Sequence, residues 1–143
     1  MKKTMTLLFT IMLLTACSDT KHNDYKFSGE SEHWEAEYAY KGTEKWGGKK
    51  GKETYSNEDI SEFRLKYKGS LEELSSLQKL HYSYEANSRR EDSNQEFTEP
   101  PSTVTFLSSS RSNGAMVRED TVIKVTVIWD GFKESFELHN NSK

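Results

Sequence analysis

Few residues in this 143-residue chain combine type and spacing in a way that could do chemistry. Cys17 is the only cysteine, and it directly follows Leu14-Thr15-Ala16 at the end of an apolar run. A lone thiol makes no internal disulfide, so its meaning depends on that position. The four histidines, His22, His33, His81 and His139, show no metal-ligand spacing such as HExxH. The alternation of the flanking residues puts His33, His81 and His139 on polar strand faces, where a solvated imidazole is the usual case. No GxSxG, P-loop or GxGxxG motif is present. The paired carboxylates Glu72-Glu73 and Glu91-Asp92 read as a helix first turn and a solvated loop. These residues point to no catalytic centre, metal or cofactor. One basic cluster remains, in which Lys41, Lys45, Lys49, Lys50 and Lys52 surround Trp46 in a glycine-rich stretch.

The segment leading to Cys17 has the layout of a secretory signal. Lys2 and Lys3 form a positive start, and residues 5–14 are uncharged and apolar. Ten such residues fall short of the about 20 needed to span a bilayer. Leu14-Thr15-Ala16-Cys17 resembles the lipobox of bacterial prolipoproteins, a Leu and two small residues before a Cys. The resemblance implies cleavage behind Ala16 and a diacylglyceryl thioether on Cys17. The protein would then be held by lipid at the outer face of the bacterial cell membrane. At about 0.8 kcal/mol per buried CH₂, two acyl chains hold a protein that a single chain would release. The full chain, rich in Lys and Glu, is also similar to small lipoproteins of low-GC Gram-positive bacteria, with one all-β domain.

Behind the signal the chain carries 18 basic against 23 acidic residues, and this acidic balance argues against a nucleic-acid partner. Hydrophobic residues are 33% of the chain and aromatics 12%. The expected core is therefore thin and rich in rings.

The elements follow from periodicity. Residues 17–31 are polar and read as a flexible tether that places His22 in solvent. Trp34, Ala36, Tyr38 and Tyr40 alternate with polar or small residues, as do Phe63, Leu65 and Tyr67, and again Leu80, Tyr82, Tyr84 and Ala86. Residues 41–57, interrupted by four glycines, read as a loop, and so do the charge-mixed residues 87–99. Ser70 and Glu73 form a capping box for a short helix through Leu71, Leu74 and Leu77. Residues 103–109 read as a further strand. Asp130-Gly131 predicts a tight hairpin turn that sets Trp129 against Phe132, Val127 against Glu134, Val125 against Phe136 and Ile123 against Leu138.

Six strands, one short helix and no βαβ alternation predict an all-β fold. The expected form is an antiparallel, immunoglobulin-like β-sandwich, with a small β-barrel as the alternative. The domains are residues 1–16 as lipoprotein signal peptide, 17–31 as tether and 32–143 as a single β-sandwich domain. The expected function is that of a non-enzymatic, lipid-anchored envelope protein that binds an envelope component or a partner protein. The alternative is an envelope hydrolase with an unrecognised site. For Lys45, Trp46, Lys49 and Lys50 the functional reading is contact with anionic headgroups or a phosphate-rich wall polymer. The plainer reading, a solvated tip with Trp46 turned back onto the sheet, carries more weight because single exposed aromatics need no function.

Overall fold

The structure is a computed structural model that describes residues 18–142. The signal segment and Cys17 lie outside the described residues, as does Lys143. Eight strands are described: β1 (Asp19–Glu30), β2 (Trp34–Lys49), β3 (Lys52–Tyr67), β4 (Lys79–Ala86), β5 (Arg89–Glu96), β6 (Thr105–Ser112), β7 (Ile123–Trp129) and β8 (Phe132–Asn140). All neighbouring pairs are antiparallel, in the order β5-β4-β7-β8-β1-β2-β3-β6. The chain is thus all-β and antiparallel, as its residue pattern predicts.

The strands form one sheet, because β1 pairs on both sides. It runs along β2 for its full length and meets β8 at Phe27↔Asn140 and Ser28↔His139. This junction joins what an immunoglobulin-like arrangement would keep as two separate sheets, and the sheet curls into a nearly closed barrel. The junction demands close approach: a Cβ on Gly29 would lie 2.0 Å from the Glu137 carbonyl oxygen.

Inward-facing residues of every strand but the charged edge strand β5 fill the interior. Trp34, Tyr38, Tyr40, Phe63, Leu65, Leu80, Tyr82, Ile123, Val125 and Leu138 are all essentially inaccessible. Rings from opposite walls meet, with Phe63 of β3 stacked on Tyr84 of β4 at 4.1 Å between centroids. The alternation read from sequence thus places the core residues correctly, because a strand with one buried face must repeat every two residues. The β7–β8 hairpin has the expected register at all four pairs. Its turn residues, Asp130 (φ 43°) and Gly131 (φ 87°), both take the left-handed conformation that matches strand twist.

Four expectations are corrected. The tether is strand β1, which buries Asn23 and Phe27 against the barrel interior, so the folded domain starts near Asp19. Residues 41–57 continue β2 and β3 in unbroken register to Lys49↔Lys52, with the turn at Lys50-Gly51. Glycines at 42 and 47 are accommodated inside the strand. Residues 87–99 contain β5, an edge strand that pairs with β4 and shows no apolar face. The helix shortens to a 3-10 turn at Glu73–Ser76, with Leu74 and Leu77 buried under it. Ser70 Oγ accepts from Glu73 N at 3.3 Å, but the Glu73 carboxylate accepts from Tyr67 Oη instead of returning to Ser70.

The edge strands β5 and β6 share no ladder among the described residues, and side chains hold the seam between them. Arg89 of β5 donates two hydrogen bonds to Asp59 of β3, at 2.9 and 2.6 Å, and the Asp59 side chain is wholly buried. Tyr82 and Ser108 join hydroxyls at 2.7 Å. The void beside the seam is only about 10 Å³, room for at most one water.

Two outcomes test this arrangement. A chain beginning at Ser31, which lacks β1, should show no cooperative urea transition, whereas one beginning at Ser18 should melt in a single step. Arg89→Leu should cost about 3–5 kcal/mol, because it strands a buried carboxylate. Arg64→Leu breaks an exposed pair with Glu62 and should cost less than about 1 kcal/mol in the same melts.

Candidate functional site

Beyond the barrel, β2 and β3 continue as an arm. Past Asp59, β3 has no β6 partner, and Lys52–Glu58 pairs only with β2, whose other side carries the first residues of β1. Strand parity gives the arm two different faces. Trp46 and Tyr55 are direct cross-strand partners on one face, with ring centroids 5.4 Å apart, and are 38% and 51% exposed. Lys45, Lys49 and Lys52 project from the other face, and Lys50 sits in the turn.

The arm is fixed at its base by a buried carboxylate. Glu44 accepts from Asn23 Nδ2 at 2.9 Å and from Tyr55 Oη at 3.0 Å. Asn57 donates onward to Tyr55 Oη and to the Gly114 carbonyl. The hydrogen bond from Asn23, aided by that from Tyr55 against the opposing effect of burial, holds the Glu44 carboxyl below the usual range. Trp46 therefore packs on a partner ring that is itself tied to the core.

Of the residues singled out by sequence, Lys49 and Lys50 come together at the tip, and Lys45 lies on the same face as Lys49. Trp46 lies on the opposite face against Tyr55 and meets Lys49 and Lys50 only around the tip. An open hollow of about 370 Å³ at the tip is bordered by Trp46, Lys49, Lys50 and Glu53. Among the described residues none of Lys45, Lys49, Lys50 and Lys52 has a carboxylate within 4.0 Å; on the barrel Lys26, Lys66 and Lys68 are paired and Lys79, Lys124 and Lys133 are not.

The opposite end of the barrel holds a cluster that local patterns do not reveal. His33, expected in solvent, pairs through Nδ1 with Glu134 Oε1 and lies between the rings of Tyr67 and Trp129. Glu134 Oε2 accepts from Ser31 Oγ and, at 3.1 Å, from His33 N. The partners are 101 residues apart in sequence, and only the register that sets Glu134 against Val127 hints at their meeting. The other histidines are bound more simply. His22 meets Thr43 Oγ1 at 3.3 Å, His81 meets Asn94 Oδ1 at 2.6 Å, and His139 lies beside Glu137.

Two kinds of chemistry could be asked of this cluster. Serine, carboxylate and histidine are all present, but the carboxylate stands between the other two. A nucleophile needs a base at its own hydroxyl, and the base at Ser31 is a carboxylate that its hydrogen bonds keep weak. Glu32, His33 and Glu134 also bring ligand atoms within 4.8 Å of one another, close enough to share a cation. Both oxygens of Glu134 are already engaged, however, so a metal would have to break the pair with His33. The arrangement is that of an ion pair capping the aromatic end of the barrel.

No protein-family model matches the chain, and comparison with curated proteins and with solved structures found no significant match.

The His33–Glu134 pair makes stability depend on pH. The hydrogen bond to Glu134 raises the His33 imidazole above its ordinary value, so its contribution is full below about pH 6.5 and fades as pH rises through the raised value. Burial pushes the Glu134 carboxyl up, but the hydrogen bonds from Ser31 and His33 outweigh it and hold the group below its ordinary value. Its contribution is present above about pH 4.5 and is lost as pH falls through the depressed value. Glu32 and Glu73, which also face His33, favour the imidazolium. The stability gap between the wild type and Glu134→Gln should therefore peak between these two values and narrow on either side. Urea melts across pH would show this, and a gap flat with pH would refute it.

Proposed function

We propose that this protein is a lipid-anchored lipoprotein on the outer face of the bacterial cell membrane. Its β-domain acts as a binding module for an envelope component or a partner protein and does no catalysis. The anchoring rests on Leu14-Thr15-Ala16-Cys17 and the signal segment before it. The observation that favours a binding surface over a reaction chamber is the filled interior. Aromatic side chains occupy the barrel, and the void at its seam holds about 10 Å³, against the several hundred Å³ of a typical ligand cavity. Recognition is thereby left to the outside of the barrel and to the arm.

The short lead to the first strand fits the same reading. Two residues of chain reach about 7 Å at most, so a lipid on Cys17 would hold Asp19, and with it the arm, close to the bilayer. Cys17→Ala should abolish incorporation of labelled palmitate and move the protein out of the membrane fraction. A variant that stays with membranes at wild-type level and still carries label would overturn the reading.

A further inference from the structure

We propose that the basic end of the β2–β3 arm docks on the anionic phospholipid headgroups of the leaflet that holds the lipid on Cys17. This deepens the function proposed above and rests on it. Three observations converge. The first is position. Asp19, the first residue of β1, pairs with Trp46, and β1 followed back toward its start runs in the direction in which β2 approaches its tip. Cys17 lies within about 7 Å of Asp19, and Lys49 lies three residues, about 10 Å, beyond Trp46. An anchored Cys17 thus brings the tip to headgroup depth.

The second observation is charge. Residues 45–54 hold four lysines and one acidic residue, Glu53, on a chain whose net charge is −3. Parity puts Lys45, Lys49 and Lys52 on one face, with Lys50 beside them in the turn, while Glu53 is on the other face. The third is that these four ammonium groups have no carboxylate within 4.0 Å among the described residues, so all four are free to meet an anionic surface, unlike Lys26, Lys66 and Lys68. Each lysine near an anionic surface favours the bound state by about fivefold, and the two acyl chains on Cys17 would hold the arm at that surface. Trp46 and Tyr55, on the opposite face, stiffen the arm.

The single cysteine makes a test possible that does not depend on cellular lipidation. The mature chain, starting at Cys17, is coupled through its thiol to a maleimide lipid. The vesicles are either pure phosphatidylcholine or contain about one-third phosphatidylglycerol. Acetylation of each lysine is then followed by mass spectrometry. On anionic vesicles the modification of Lys45, Lys49, Lys50 and Lys52 should slow by about fivefold or more, with Lys124 and Lys133 unchanged. The protection should vanish on neutral vesicles and in about 1 M salt, where screening reaches only about 3 Å. Lys49→Glu with Lys52→Glu should remove the protection of Lys45 and Lys50 without moving the urea midpoint, and Trp46→Phe should retain it. Equal modification on the two kinds of vesicle would overturn the proposal. So would protection that appears only when purified cell-wall polymer is added. Failure of Cys17→Ala to release the protein in cells would instead overturn the anchoring reading and leave this result standing.

Discussion

The ion pair between Arg89 and Asp59 is the constraint on which the shape of the molecule depends. A curled sheet that does not close leaves two edges, and here they are β5 and β6. Backbone hydrogen bonds do not join them, so the seam relies on side chains reaching inward from both edges. Arg89 crosses it with a two-pronged grip on a buried carboxylate. Burial and the charge of Asp59 push the neighbouring Tyr40 hydroxyl up, which keeps it neutral, and it lies 3.3 Å from Asp59 Oδ2 while accepting from Val117 N. A buried ion pair is seldom the most stabilising way to fill a core. It does dictate one geometry, because each partner is costly without the other. That geometry brings β3 against β4 and lets Phe63 stack on Tyr84.

The interior is graded along the barrel axis. At the Trp34 end it is aromatic, with Trp34 packed on Tyr67, Phe106 and Trp129. At the arm end the buried positions turn polar: Asn23, Glu44, Asp59 and Ser61. Each of Asn23, Glu44 and Asp59 is satisfied by a partner from another strand. The polar end is therefore a set of directed bonds and not a gap in the core. It extends the rigidity of the barrel into the arm, where Glu44 holds Tyr55 and Tyr55 holds Trp46. A hairpin of two strands alone would be marginal in water. This one gains a third strand from β1 and a fixed base.

How much of this was legible depends on what each element shows locally. Strands with one wet face and one dry face advertise themselves, and β2, β3, β4, β7 and β8 were readable for that reason. Asp130-Gly131 fixed a register because its turn type allows only one pairing. The strand β5 was not readable: its inward residues Arg89, Glu91, Ser93 and Gln95 are polar, and its strand character comes wholly from its neighbour β4. The signal of β1 was present but faint, in the spacing of Asn23, Tyr25 and Phe27. The arm looked like a loop because glycine lowers strand propensity, and pairing on both sides of β2 overrides that. The meeting of His33 with Glu134, like that of Arg89 with Asp59, is set by the closure of the sheet and leaves no trace in any local window. The lipobox-like Leu14-Thr15-Ala16-Cys17 is the opposite case, a signal in sequence alone that lies outside the described residues.

The loss of the tether changes the meaning of the anchor. A lipid on a flexible leader would let the domain tumble above the membrane, and any face could meet a partner. On the proposed anchoring, a lipid two residues before a strand would leave few orientations, and the arm that shares that strand would point toward the bilayer. The strand β2 then measures the molecule. From Lys49 to Trp34 there are fifteen steps, at most about 50 Å. The end that carries His33, Glu134 and the exposed ring of Phe132 would stand farthest from the membrane. Phe132 lies stacked on Trp129 and largely in solvent, beside a turn whose Asp130 carboxylate accepts from Gln78 N and Lys79 N. On this reading the two ends of the barrel divide the work. The basic arm would face lipid, and the aromatic cap would be the part presented to whatever lies beyond it.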